Sequence, residues 1–391
     1  MWRKRLNARG IFWLLLAVGG LFAVAADGGQ KPDRNDKVEW RVADGVTYEN
    51  LTVFPVVSRQ AADTQAFETL DEALQSGDAV VSESGGDAIV RSRDGRPVDV
   101  PYSGGAQVNQ LVLVNRGKRP VVLLAGELLS GGKQDRIVAK DRIVAPGAPP
   151  LPLDVFCVEH GRWSSGTKFA ASVMIVHPSV REKAAVDQAQ TDVWAAVRKG
   201  STAGPAGGMA GLAAPAAPPP LSEQSIEVEI SRGARTEAYA KIYGGNAGGV
   251  PVDSFAEEIE RRFARATSGL KDERVVGVVV AYGGDVAWSD VFASLALFES
   301  YWPKLIRSYV VEALARPQLR EAASRDDARD FMRPLAGNES TESEPGVYRW
   351  REINEGHYTE IALEALRPLA GNARGEPQDV MLHWLKIHRT N

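Results

Sequence analysis

One cysteine, Cys157, stands in a chain of 391 residues. A lone thiol excludes an internal disulfide, so packing and hydrogen bonds must supply the stability. The five histidines, His160, His177, His357, His383 and His388, show no H-x-H, HExxH or carboxylate-adjacent spacing, which removes the usual signals of a metal centre. Ser130, Ser164 and Ser165 lack the strand–turn–helix setting of a nucleophile elbow. Charge of one sign is also scarce: the net charge is −4, with no block of like charges. Nucleic-acid binding, which needs a basic surface, is not expected. Beyond the N-terminus no apolar run is long enough to span a bilayer. No metal and no cofactor are implied.

The N-terminus carries the clearest positive signal. Arg3, Lys4, Arg5 and Arg9 precede the apolar run Ile11–Ala26, which ends in the small residues Ala23-Val24-Ala25. Basic, apolar and small residues in that order predict a signal peptide over 1–26 and export to the periplasm or exterior. The alternative is an uncleaved inner-membrane anchor over 11–26, which would be the chain's contact with a membrane. No cysteine follows the run to carry a lipid. A polar lead-in occupies 27–44.

The remainder has the 44% apolar and 25% charged composition of an ordinary globular protein. The region 45–163 reads as β-rich. Thr69-Leu70-Asp71-Glu72 is a capping box, and Gly77 stops the short helix it opens. Leu111–Val114 and Val121–Leu124 flank Asn115-Arg116-Gly117-Lys118 and predict a hairpin. Asp-Arg-Ile-Val-Ala occurs at 135–139 and 141–145, an even offset that favours one extended strand. Val180–Lys199 is expected to be helical, and the Gly/Ala/Pro stretch 200–220 cannot form a packed core.

The second half begins with Ile226–Ile230, and Ser254-x-x-Glu257 reads as a second capping box. Val275–Ala281 is a buried strand turning at Gly283-Gly284 into Val286–Trp288. Asp290 is expected to cap the next helix, which Pro303 should split in two. Asp327–Met332 reads as helix, and Val347–Ile353, Tyr358–Leu366 and Val380–Ile387 as strands. Arg-Pro-Leu-Ala-Gly-Asn recurs at 333–338 and 367–372 and suggests a duplicated hairpin. The fold class is α+β, with a β-rich N-terminal half, helices packed on it and a short β-rich C-terminal extension.

Leu123–Trp163 is the most informative stretch. A strand leads into a Gly-rich turn bearing Glu127, Lys133, Gln134, Asp135 and Arg136; a second strand carries Cys157 and ends in Glu159-His160-Gly161-Arg162-Trp163. Polar groups at the ends of buried strands belong more often to a site or an interface than to a core. A nucleotide-triphosphate loop is excluded, because Glu127 stands where its first glycine is required and Gln134 replaces the Ser/Thr that would hold Mg²⁺.

These segments, together with Tyr48–Pro55, Thr69–Leu74, Val276-Gly277-Val278, Asp290-Val291-Phe292 and the helix bearing Trp302, Lys304 and Leu305, resemble the ARG- and rhodanese-phosphatase-superfamily-associated protein domain. The likeness covers 45–315, with GGKQDR and CVEHGRW its most specific parts. It takes 200–220 as a loop inside one domain and leaves 316–391 as an extension. Many members are similar but carry Asn where Asp135 stands. The resemblance implies no established reaction, at most a role near ADP-ribose or phosphate-ester metabolism.

Three readings of the polar residues stay open. In the leading one, Lys133, Gln134, Arg136, Arg162 and Trp163 bind a small anionic or polar ligand, with Gly131 and Gly132 forming an anion nest. In the second, an enzyme acts on a nucleotide-sugar or phosphate ester, with Glu127 or Glu159 as base and the cations clamping the anion. In the third, the charges are structural, Glu127 and Glu159 pairing with Arg136 or Arg162. Cys157 reads as a buried thiol, with a catalytic thiol activated by His160 or Arg162 as the alternative.

Overall fold

The computed structural model describes residues 39–60, 62–84, 110–160, 168–199, 237–239, 252–316, 321–366 and 379–389. The α+β class is observed. The strand Arg274–Tyr282 is buried at every position after Arg274, as its VVGVVVA run dictates, each valine contributing about 1.5–3 kcal/mol when withdrawn from water. It turns at Gly283 into Asp285–Phe292, a partner longer than the expected Val286–Trp288. This hairpin is the middle of an antiparallel nine-stranded sheet. On one side lie Leu51–Ser58 and then Trp40–Val42, with Val46–Tyr48 also paired to Leu51–Ser58. On the other come Val380–His388, Tyr358–Ala365, Tyr348–Glu355 and Asn338–Glu344.

The residues assigned to a C-terminal extension therefore supply four strands of the largest sheet, and the last of them lies next to its centre. Their apolar positions, Ile361, Leu363, Leu382, Leu385 and Ile387, join the same core cluster as Val278 and Val280.

A second sheet, with six strands, runs Phe169–Ile175, Glu127–Gly131, Arg136–Val138, Leu151–Cys157, Gln110–Asn115 and Ala79–Glu83. Its outer strands approach through the bridge Ser82↔Lys168, so the sheet curls back on itself. Val121–Leu123 pairs instead with Arg142–Val144 and, in parallel, with Glu68–Thr69. The expected hairpin around Asn115 is thus not formed. The chain does turn there, where the Asn115 amide donates to the Arg119 and Val144 carbonyls at 2.8 and 2.9 Å. Both flanking strands are apolar without alternation, and each is buried in a different sheet. The two Asp-Arg-Ile-Val-Ala copies separate in the same way into strands of different sheets.

The capping box is present: Thr69 and Glu72 cap the helix Leu70–Ser76, and Gly77 ends it at φ 75°. The expected helix over 180–199 is interrupted. Pro178–Glu182 passes into a π-helical turn, Lys183–Asp187, then a left-handed Gln188, before Gln190–Lys199. Val252–Thr267 begins before Ser254, which lies in its first turn and is not its cap. Leu295–Ala315 is one helix with Pro303 inside it. Buried side chains on both sides of the proline, from Phe298 and Tyr301 to Leu305 and Tyr309, hold it continuous. Asp290 belongs to a strand; the cap of this helix is Ser294, whose hydroxyl accepts the Leu297 N–H at 3.1 Å. Arg325–Phe331 is helical. Residues 1–38, 200–220, 226–230 and the second Arg-Pro-Leu-Ala-Gly-Asn copy lie outside the described residues.

The helix Leu295–Ala315 packs on Arg274–Tyr282 of the large sheet and on Phe169–Ile175 of the smaller one. It fills the space between them and delivers Tyr301, Lys304, Tyr309 and Glu312 there, all buried.

Candidate functional site

The Gly-rich turn connects Glu127–Gly131 to Arg136–Val138, whose register pairs Leu129 with Arg136. Gly131 and Gly132 have φ of 121° and 53°, where side chains are disfavoured. A Cβ on Gly132 would fall 2.1 Å from Cζ of Phe169 and 2.8 Å from Oε1 of Glu83. The closeness has a purpose visible in the hydrogen bonds. The Gly131 N–H donates to Oδ1 of Asp135 at 3.0 Å, the Gly132 N–H to the Lys168 carbonyl at 2.9 Å, and the Lys133 N–H to Oε1 of Glu83 at 2.7 Å. The amides expected to receive an external anion are therefore engaged by acceptors of the chain itself. Oδ1 of Asp135 serves the turn as an acceptor, a task an asparagine carbonyl also performs.

Arg136 is fully buried, and its Nη1 donates to Oε1 of Gln134 at 3.3 Å and to the Asp135 carbonyl at 3.4 Å. Lys133 and Gln134 are half-buried and reach solvent. Cys157 lies opposite Arg136 in the register, with its backbone bracketed by the Gln190 side-chain amide at 2.8 and 3.0 Å. Its thiol is fully buried. Burial pushes its pKa up; Arg136 opposes that rise and Glu83 adds to it. Burial agrees with the expected buried thiol; the side chain of His160 and all of Arg162, the activators in the alternative reading, lie outside the described residues.

The next residue, Val158, donates its N–H to the Asp135 carbonyl at 3.2 Å, and Glu159-His160 pairs with Glu237-Ala238. Arg162 and Trp163 lie outside the described residues, and of the Glu159 side chain only its strand position is described. Both stems of that segment, Val158 and Lys168, are nonetheless hydrogen-bonded to the Gly-rich turn.

Glu127 is not part of this grouping. It begins the strand that Gly131 ends, about 13 Å away along the extended chain. It is 1% exposed. Oε2 accepts the Leu124 N–H at 2.6 Å, and Oε1 meets Nζ of Lys304, which also holds Oδ2 of Asp71 at 2.6 Å. Burial pushes the Glu127 carboxyl up, against the opposing pull of Lys304. Burial would lower Lys304, but Glu127 and Asp71 outweigh it and hold the ammonium charged. Both carboxylate oxygens are engaged and shielded from water, so Glu127 does not pair with Arg136 but shares the Lys304 ammonium with Asp71. Its ion pair is with Lys304, 177 residues away.

The strongest charge cluster was missed by sequence reasoning. His383 donates or accepts at both nitrogens, Nδ1 to Oδ2 of Asp141 at 2.6 Å and Nε2 to Oδ1 of Asp290 at 2.9 Å. Asp290 also receives Arg181 Nη1 at 2.8 Å, Trp288 Nε1 at 2.8 Å and the Tyr309 hydroxyl. Arg181 Nε reaches the Ala125 carbonyl at 2.8 Å, while Asp141 Oδ1 accepts the Ala125 N–H at 2.7 Å. All are buried. Burial alone would raise the Asp290 carboxyl, but Arg181 and His383 hold it far below the usual carboxylate range. Burial would lower His383, but Asp141 and Asp290 outweigh it and raise it. Gly277 makes room for the cluster's strand: a Cβ there would lie 2.4 Å from the Asp290 carbonyl. Two largely apolar strands that each carry a buried ionisable residue (Asp290 in DVAWSDVF, His383 in VMLHWLKIH) were the signal available. Among the described residues no group of three or more His, Cys, Asp or Glu is arranged to hold a metal ion.

The fold is an α+β protein in which one long helix separates two antiparallel sheets, with a buried charge cluster between them. A family model matches residues 39–373: the ARG and Rhodanese-Phosphatase-superfamily-associated Protein domain. The chain belongs to this family. The match extends past the expected limit at 315, and the strand that carries His383 lies beyond it. No curated protein and no solved structure matches the chain.

Proposed function

We propose that the protein is an exported binding module that recognises a small anionic or polar ligand at the Gly131–Arg136 end of the six-stranded sheet. The observation that carries this reading is the shared anchoring of two chemistry-bearing segments: Val158 and Lys168, which flank Arg162 and Trp163 in sequence, both hydrogen-bond to the turn that bears Lys133 and Gln134. Because the turn amides are engaged by Asp135, Lys168 and Glu83, recognition falls to side chains. Lys133 supplies a charge and Gln134 a donor–acceptor pair, both within reach of solvent; a charge-assisted hydrogen bond is about twice as strong as a neutral one. The enzyme reading is weaker, since Glu127 is committed to Lys304. The structural reading is favoured for Glu127 and Arg136, which are buried.

The test is a thermal-shift screen of residues 27–391 against nucleotides, sugars and sugar phosphates. A ligand that prefers the folded state raises the melting temperature. The shift should disappear in Lys133→Ala/Gln134→Ala while the unliganded protein keeps a single cooperative melting transition. An equal shift in that variant would move the site elsewhere. Export is tested by the mass of the secreted protein, which should begin at Asp27; a chain held in the membrane fraction would indicate the uncleaved anchor.

A further inference from the structure

The two edges of the nine-stranded sheet are built differently. Trp40–Val42 is three residues long, with Trp40 packed on Trp384 at 5.3 Å, Arg41 paired with Glu273, and the helix Arg325–Phe331 against it. That edge is short and covered, the usual protection of an exposed ladder. Asn338–Glu344 (NESTESE) is seven residues long and runs in unbroken register from Asn338↔Asn354 to Glu344↔Tyr348. It contains no proline, no lysine and no bulge. Six of its residues are exposed on whichever face they point to, and among the described residues no strand lies on its outer side. An unbulged edge of this length offers backbone N–H and C=O groups to an incoming strand.

Its side chains determine which strand can enter. Glu339, Glu342 and Glu344 are its charged residues, and no cation is among them. The cations nearest in register, Arg349 and Arg351, are bound to Glu364 at 2.7 and 3.0 Å; Lys140 meets Glu342, which remains half exposed. Pairing with a second copy would set one row of carboxylates against another, so the charge pattern opposes self-association.

We propose that Asn338–Glu344 is a docking edge for an extended cationic segment of another protein, added as an antiparallel strand. Side chains alternate between faces, so Glu342 and Glu344 share one face and Glu339 takes the other. An antiparallel partner meets Glu344 first, then Glu342, then Glu339, which fixes the spacing as Lys-x-Lys-x-x-Lys. This inference is independent of the ligand site proposed above, since the strand belongs to the other sheet.

The probe is a short threonine-rich peptide with that lysine spacing, titrated into residues 27–391 by fluorescence anisotropy and followed by amide hydrogen exchange. A peptide of equal composition with three contiguous lysines should bind about tenfold more weakly, from the loss of cross-strand charge pairs. Binding of the spaced peptide should protect amides within Asn338–Glu344. The exposed triple variant Glu339→Lys/Glu342→Lys/Glu344→Lys should fold normally and lose the interaction. Equal affinity for the two peptides overturns the proposal. So does undiminished binding of a backbone N-methylated peptide, which would reduce the effect to diffuse charge attraction, and so does edge-to-edge dimerisation of the protein alone.

Discussion

The Gly131–Arg136 turn and the Asp290–His383 cluster use the same residue types and differ in access to water. In the turn, Lys133 and Gln134 extend to solvent while the backbone beneath them is tied to Asp135 and Glu83. In the cluster, Asp141, Arg181, Asp290, His383 and Tyr309 are sealed, and the Arg181–Asp290, His383–Asp141 and His383–Asp290 bonds join elements distant in sequence. A charge that water can reach can exchange one partner for another at little cost. A sealed charge has no alternative partner, so breaking its pair leaves an uncompensated ion in a medium that solvates it poorly. The cluster therefore acts as a bolt between the two sheets, and the turn as the place where exchange with the outside is possible.

The largest effect should come from Asp290→Ala, which leaves Arg181, His383 and Tyr309 without their shared acceptor. Urea unfolding at neutral pH should show a loss of about 3–5 kcal/mol. A loss below about 1 kcal/mol would mean that the cluster relaxes and is no bolt.

Lys304→Met comes next, at about 3 kcal/mol, because Glu127 and Asp71 remain behind as facing carboxylates. Adding Glu127→Leu should restore part of that loss; a double variant as unstable as the sum of the single ones would show that the two residues are not coupled.

A smaller effect appears in the pH dependence. His383 has a folded pKa raised above its unfolded value of about 6.5. Its contribution is complete below that value and is lost as pH rises through the folded pKa. Asp290 is depressed, so its contribution is complete above the unfolded value of about 3.9 and is lost as pH falls through the folded pKa. Unfolding free energy should thus decline on the alkaline side, and His383→Gln should flatten that decline. An unchanged slope in the variant would assign the decline to other groups.

The smallest effect on stability belongs to the turn. Lys133→Ala should stay within about 1 kcal/mol of the parent, because water can replace what a half-buried ammonium loses. A loss near that of Lys304→Met would erase the contrast between turn and bolt.

Local signals were legible where neighbouring residues settle the outcome. The Thr69–Glu72 capping box, the Gly77 stop and the buried VVGVVVA strand all formed as their residues dictate. Readings failed where a distant partner decided. Pro303 stays inside a helix because apolar contacts on both sides hold it. The strands flanking Asn115 part because each finds a fully apolar slot in another sheet. Glu127 was recognised as unusual for a strand end, but its cation was sought nearby, in Arg136 or Arg162. Lys304 lies on a helix 177 residues further on, and no local pattern encodes that separation.

The sequence by itself determined the α+β class, the family and the position of the Gly-rich turn, because composition, periodicity and short motifs are properties of neighbours along the chain. Tertiary structure alone decided which charges face water and which are locked away. Burial and ion pairing depend on what the fold brings together, and Asp141, Asp290 and His383 become one cluster only when three separate strand regions converge behind the helix Leu295–Ala315.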